Sequence, residues 1–116
     1  MTAIRYVIGS TALWFIAIPV LAEDRGEAMP GHAVYTKWCA PCHDPGVSHP
    51  GTNALTVKYK GVKPGVLLEW RDLAPAVVKH WVRTGISVMP QFRKTEISDA
   101  DLDALAKFLS RNTPAS

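Results

Sequence analysis

Two cysteines and a histidine packed into five residues, Cys39-Ala40-Pro41-Cys42-His43, constrain this chain more than any other feature. On a helix end Cys39 and Cys42 stand one turn apart and His43 follows directly, so two thiols and an imidazole project from neighbouring positions. That spacing suits a porphyrin. The thiols can add to the two vinyl groups along one edge of the macrocycle while the imidazole reaches the iron from the same side, which is the c-type haem attachment pattern. Zinc fits less well, because it needs about four ligands, the chain has no second cysteine pair, and adjacent Cys42 and His43 would bind together awkwardly. A thioredoxin-like pair needs a βαβ setting, whereas this neighbourhood reads as helical. A disulfide between the two remains open, but closing so short a loop would stabilise little.

Residues 1–22 read differently from the rest. One cation, Arg5, precedes a charge-free run of 17 residues from Tyr6 to Ala22 that ends in the small-residue pattern Val20-Leu21-Ala22. This is the layout of a secretory signal peptide, so cleavage is expected near Ala22, leaving one domain at 23–116 and a periplasmic location. The alternative is a retained anchor, for which the run is at the lower length limit and is interrupted by Pro19. Losing residues 1–22 removes one cation from 13 Lys and Arg set against 10 Asp and Glu, leaving a net charge of +2. The cations are dispersed and not interleaved with aromatics, which argues against nucleic acid as a partner. A domain of this size buries only about 60 to 65% of its unfolded surface, so an enclosed porphyrin would supply apolar core that the chain lacks.

The pattern predicts an all-α fold of three to four helices. Val34, Tyr35 and Trp38 recur at three and four residues over Gly31 to Ala40, with Pro30 placed to begin that helix. Pro41 to Pro50 reads as an irregular loop, and a short helix is expected around Ala54 to Tyr59. Pro75 starts a further helix with Val78, Trp81 and Val82 on one face and Gly85 at its stop. Ser98 and Asp101 have capping-box spacing ahead of the stripe Leu102, Leu105, Ala106 and Leu109. The first and last helices are expected to cross, with Gly31 allowing close approach.

A sixth iron ligand is expected from Met89, which lies in an apolar loop and is followed by Pro90; Met29, His32, His49 and His80 are the other candidates. Methionine opposite histidine raises the reduction potential, as suits an electron carrier. Ordinary packing is the bland explanation for Met89. The second ring nitrogen of His43 needs an acceptor, for which the Pro50 carbonyl is expected, with Pro45 next. Tyr59, Trp70 and Arg71 are candidates for the propionate side.

The motifs Gly31-x-x-Val34-Tyr35, Cys39-Ala40-Pro41-Cys42-His43, Met89-Pro90 and Ser98-Asp99-x-x-Leu102-x-x-Leu105-x-x-Phe108-Leu109 together resemble class I cytochromes c. The resemblance implies one covalent haem c on Cys39 and Cys42, His43 as proximal and Met89 as distal ligand, and electron transfer with no substrate chemistry of its own. Ala54-Leu55-x-x-Lys58-Tyr59-Lys60-Gly61 and the stretch from His80 to Ile97 are similar to the cytochrome subunits of p-cresol methylhydroxylase and related 4-alkylphenol (eugenol-type) flavocytochromes. That implies a flavoprotein donor and a downstream copper protein or cytochrome as acceptor. Ile86, Val88, Pro90 and Phe92 would then form a docking patch, or else simply cover the haem. A free soluble carrier for another dehydrogenase or a terminal oxidase is the alternative, and a haem protein with an open sixth position is a third reading.

Overall fold

Proline opens three of the helices described below. Its fixed φ is already helical and its missing N–H is one that a first turn leaves unused. A computed structural model describes residues 29–112, so the expected leader at 1–22 lies outside the described residues. Pro30, Pro50 and Pro75 are the first residues of α1 (Pro30–Trp38), α3 (Pro50–Tyr59) and α4 (Pro75–Thr84). Between the first two lies a single-turn helix, α2 (Ala40–His43), and α5 (Asp99–Leu109) closes the fold. A 3-10 turn at Leu67–Glu69 precedes α4.

The all-α expectation holds, with two differences. Among the described residues five α-helices form where three to four were expected, because the backbone turns at Cys39 (φ −108°) and Ala40–His43 becomes a helix of its own. In addition, α3 begins at Pro50, four residues earlier than Ala54, which shortens the loop after the histidine. α4 ends at Gly85 as its sequence indicates. At α5, Ser98 Oγ accepts from the Asp101 amide at 3.1 Å, and its hydroxyl donates to the Asp101 carboxylate at 2.8 Å. The short aspartate therefore answers the serine side chain rather than completing a capping box.

The core sits where α1 crosses α5. Tyr35 from α1 packs against Phe108 with ring centroids 5.9 Å apart, and Leu102, Leu105, Ala106 and Leu109 complete the buried stripe. A Cβ on Gly31 would fall 2.6 Å from both the Ala104 carbonyl carbon and Phe108 Cβ. Only glycine permits that crossing. Val78 and Val82 of α4 and Ile97 add to the same cluster, against which Trp38, Leu55, Tyr59, Met89 and Phe92 are partly buried. Among the described residues, no helix is long and apolar enough to cross a membrane.

Candidate functional site

The segment that carries the thiols hangs from the end of α1. The Cys39 amide donates to the Tyr35 carbonyl at 2.8 Å, and the amides of Cys42 and His43 donate back to the Cys39 carbonyl at 3.0 and 2.9 Å. This tight turn holds Cys39 inside the core cluster while Cys42 faces outward; both are free thiols. Burial, reinforced by the neighbouring Cys42, pushes the Cys39 thiol up to about 12. Burial also lowers the pKa of His43, which favours the neutral imidazole, the form that binds metals. Two free thiols and a neutral imidazole within one turn fit covalent haem attachment better than either rival chemistry. Among the described residues, no cluster of three or more histidine, cysteine or acidic side chains is arranged to hold a metal ion without a porphyrin.

Met89 is presented by a locked turn. Ile86 and Met89 exchange backbone hydrogen bonds at 3.1 and 2.9 Å, with Ser87 in the left-handed region at φ 53°. The Phe92 amide donates to the Val82 carbonyl at 2.8 Å, and Arg83 donates to the Phe92 carbonyl at 3.0 Å. Phe92 meets Trp38 edge-on, with centroids 5.7 Å apart, which ties this loop to the last turn of α1 just before Cys39. Met89 and Cys39 thus share one apolar cluster. The other expected donors are placed differently. His32 packs edge-on against Phe108, His49 Nδ1 donates to the Pro41 carbonyl at 3.2 Å, and exposed His80 meets Trp81 edge-on. Met29 is the N-cap of α1, partly buried against the cluster.

The expected bond from His43 to the Pro50 carbonyl is not made. His43 Nδ1 is buried and has no hydrogen-bond partner, Pro45 included. As the first residue of α3, Pro50 points its carbonyl along the helix axis toward its own i+4 amide. Trp70 also departs from expectation: its one donor, Nε1, goes to the Pro64 carbonyl at 2.9 Å and is engaged by the chain itself. Tyr59 stands edge-on to Trp70, with centroids 5.3 Å apart, and the Lys63 ammonium lies over both rings and pairs with Asp72. Exposed Arg71 helps line a shallow cavity of about 280 Å³ with Lys63 and Trp70.

Sequence reasoning missed Lys63, and it missed the contacts around His43 made by Tyr35, Gly51 and Thr52. Their signal was faint: one hydroxyl on the inner face of an otherwise unpatterned helix, and a glycine in its first turn.

Comparison with known proteins gives three findings. Residues 26–109 match the family model described as cytochrome c oxidase, cbb3-type, subunit III. Over 80 residues the chain is 35% identical to the cytochrome c subunit of 4-cresol dehydrogenase (hydroxylating) from Pseudomonas putida. That alignment covers 69% of this chain and 58% of the relative, so the chain spans less than two thirds of the relative's length. Among solved structures, OmcF, outer membrane cytochrome F from Geobacter sulfurreducens, aligns over 72% of this chain and 99% of its own, at 19% identity and a TM-score of 0.46.

Proposed function

This chain belongs to the cytochrome c family, matched along residues 26–109, and is an electron carrier with covalent haem c; on that premise we propose that it is the exported small subunit of a flavocytochrome. In this reading residues 1–22 are a cleaved export signal, the protein works in the periplasm, and it takes electrons from the flavin of a 4-alkylphenol-oxidising partner. It then passes them to a downstream copper protein or cytochrome. The observation that carries the reading is the 35% identity to the cytochrome c subunit of 4-cresol dehydrogenase.

Bound haem c supplies one-electron exchange between ferric and ferrous iron. The chain's own residues divide the remaining work. Cys39 and Cys42 would hold the porphyrin through thioether bonds, one from inside the core and one from its surface. His43 would offer a neutral imidazole to the iron and Met89 a thioether, a pair that raises the reduction potential. The cross-bonded turn at Ile86–Met89, anchored to α4 through Phe92 and Arg83, keeps the weak thioether donor in place. Tyr59, Lys63 and Arg71 lie on the side proposed for the propionates, with Trp70 contributing its ring rather than its N–H. Replacing Met89→Ala is expected to change the visible spectrum and lower the potential; an unchanged protein would favour the open-site reading instead.

The same turn offers a docking surface. Val88 is 83% exposed and Ile86 lies beside it in the turn, while Phe92 faces inward against Trp38 and leaves the patch. Exposed apolar residues next to a redox centre suit a partner that must come close.

The test is purification from the native periplasm with whatever flavoprotein accompanies the chain, followed by addition of a 4-alkylphenol. Co-purification, and haem reduction that requires both flavoprotein and phenol, is the expected result. A monomer that stays oxidised in that mixture would sink the proposal and favour a free carrier.

A further inference from the structure

Two residues other than glycine have a positive φ among the described residues, and their settings differ. Lys60, at φ 47°, closes α3, where a left-handed residue is an ordinary helix end. Ser87, at φ 53°, lies instead in the turn that carries Met89. Ile86 and Met89 exchange both backbone hydrogen bonds across Ser87 and Val88, which makes those two the central residues of a tight hairpin turn. Ser87 has positive φ and Val88 does not. That is the type II′ arrangement, in which glycine is the preferred first central residue. A serine there carries a Cβ in a conformation that favours none, a strained position of the kind that gathers at functional sites.

The rest of the loop gives this strain no easy outlet. Gly85, at φ 67°, runs so close to the turn that a Cβ on it would fall 2.7 Å from the Met89 carbonyl oxygen and 2.9 Å from the Gln91 amide nitrogen. Beyond Pro90, the Phe92 amide donates to the Val82 carbonyl and Arg83 donates to the Phe92 carbonyl. Met89 is itself partly buried against the core cluster. Its side chain therefore leaves the iron together with its turn, and opening the turn releases the strain at Ser87. We infer that Ser87 is a positioning residue that loosens Met89 as a ligand: it makes the closed turn costlier than glycine would, and so keeps the sixth position exchangeable. The inference rests on Met89 being the distal ligand, and adds a residue that sets how firmly that thioether is held.

Imidazole competes with Met89 for ferric iron: a ring nitrogen binds as the thioether sulfur leaves, with no change in oxidation state. The experiment titrates imidazole, at fixed pH, into ferric holoprotein carrying Ser87→Gly or Ser87→Ala. Loss of the weak red absorption band of the ferric iron–thioether bond gives the affinity, and its rate at saturating imidazole gives the opening of the turn. Ser87→Gly is expected to bind imidazole about tenfold more weakly and to lose the band more slowly, the size that strain at one residue supplies. Ser87→Ala keeps the Cβ and should match wild type. The exchange takes place in the folded protein, so the entropy that glycine adds to the unfolded chain does not enter. The reduction potential of Ser87→Gly should equal that of wild type, because the closed turn carries the same strain in both oxidation states.

Wild-type or tighter imidazole binding in Ser87→Gly, a shifted potential, or the same weakening in Ser87→Ala would overturn the inference. Failure of the underlying reading looks different: Met89→Ala would then keep both the visible spectrum and the imidazole affinity of the wild type.

Discussion

The α1–α5 crossing and the α3 region are built on different terms. At the crossing, Ile97 and Leu105 are fully buried, Tyr35 and Phe108 nearly so, and the contacts come from the chain's own side chains. Along α3 Thr52 is the residue that is buried, while Val57 is 72% exposed and Val47 and Val62 flank the helix in solvent. One region therefore closes its core with the chain's own side chains, and the other buries little of its own. The difference teaches where the cofactor matters for folding. In a domain this small, apolar area supplied by haem c substitutes for side chains that the chain does not carry.

The largest way to break that comparison is to remove the cofactor. A Cys39→Ser/Cys42→Ser variant is expected to form without covalent haem and to lose roughly 5 kcal/mol, about the whole stability of a typical small domain. Hydrogen exchange should show α3 amides losing protection first, with residual protection confined to α1 and α5. Equal protection in all three helices would refute the contrast. Next in size are substitutions within the crossing. Leu105→Ala should cost about 3 kcal/mol by leaving a cavity, and Gly31→Val about as much by forcing the helices apart, as urea unfolding of the holoprotein would show. Val57→Ala, on the exposed side of α3, should stay within about 0.5 kcal/mol.

The same contrast explains what could be read from the amino-acid order. α5 was legible because Leu102, Leu105, Ala106 and Leu109 repeat at helical spacing and their partner, α1, is part of the chain. Ser98 and Gly31 marked its start and its crossing point for equally local reasons. α3 was read late and short because its hydrophobic pattern is weak, with Thr52 as its buried residue and no apolar stripe to mark its start. The thiols and His43 were legible from spacing alone. That Gly51 lies close to the His43 ring and Thr52 bonds the Asp44 carbonyl was not, because both come from a helix that the sequence barely announced. Trp70 was named as a candidate for the propionate side, and nothing in the amino-acid order indicated that its N–H donates to a carbonyl six residues earlier.

A smaller effect separates the polar wall of the core from its apolar part. Tyr35→Phe removes a buried hydroxyl that donates to a carboxylate, a loss of about 1.5 to 3 kcal/mol at neutral pH. Burial, then the bond to Asp44, raises the Tyr35 pKa well above the ordinary 10.0. A raised folded-state pKa means that the contribution is complete below pH 10.0 and fades above it, where the unfolded chain ionises and the folded one does not. The gap between wild type and Tyr35→Phe should therefore shrink by roughly 1.4 kcal/mol per pH unit above that value. Paired unfolding curves between neutral and alkaline pH test this. A constant gap would mean that the hydroxyl acts by shape alone.

The smallest expected effect lies at the surface that ties α4 to α5. Asp99 receives Lys94 at 2.7 Å and Arg83 at 2.8 Å, and these two hydrogen bonds hold its carboxyl below the usual carboxylate range. Here the sign is opposite to that of Tyr35. The contribution is present at neutral pH and is lost as acid protonates the carboxylate, beginning at the ordinary carboxylate value and ending below the lowered one. Because Asp99 is exposed, salt screens the pairs and the gain stays small. Asp99→Asn should accordingly lower the melting temperature slightly at neutral pH and low salt, and match wild type in acid or at high salt. Arg83 also holds the Phe92 carbonyl, so the variant further tests whether the Met89 turn depends on this pair. If the visible spectrum of the holoprotein is unchanged in Asp99→Asn, the turn is kept by its own backbone bonds and by Phe92 against Trp38. If the spectrum shifts, a solvent-facing ion pair reaches the iron through Arg83, and the division between a packed core and a cofactor-built region extends to a third, electrostatic element.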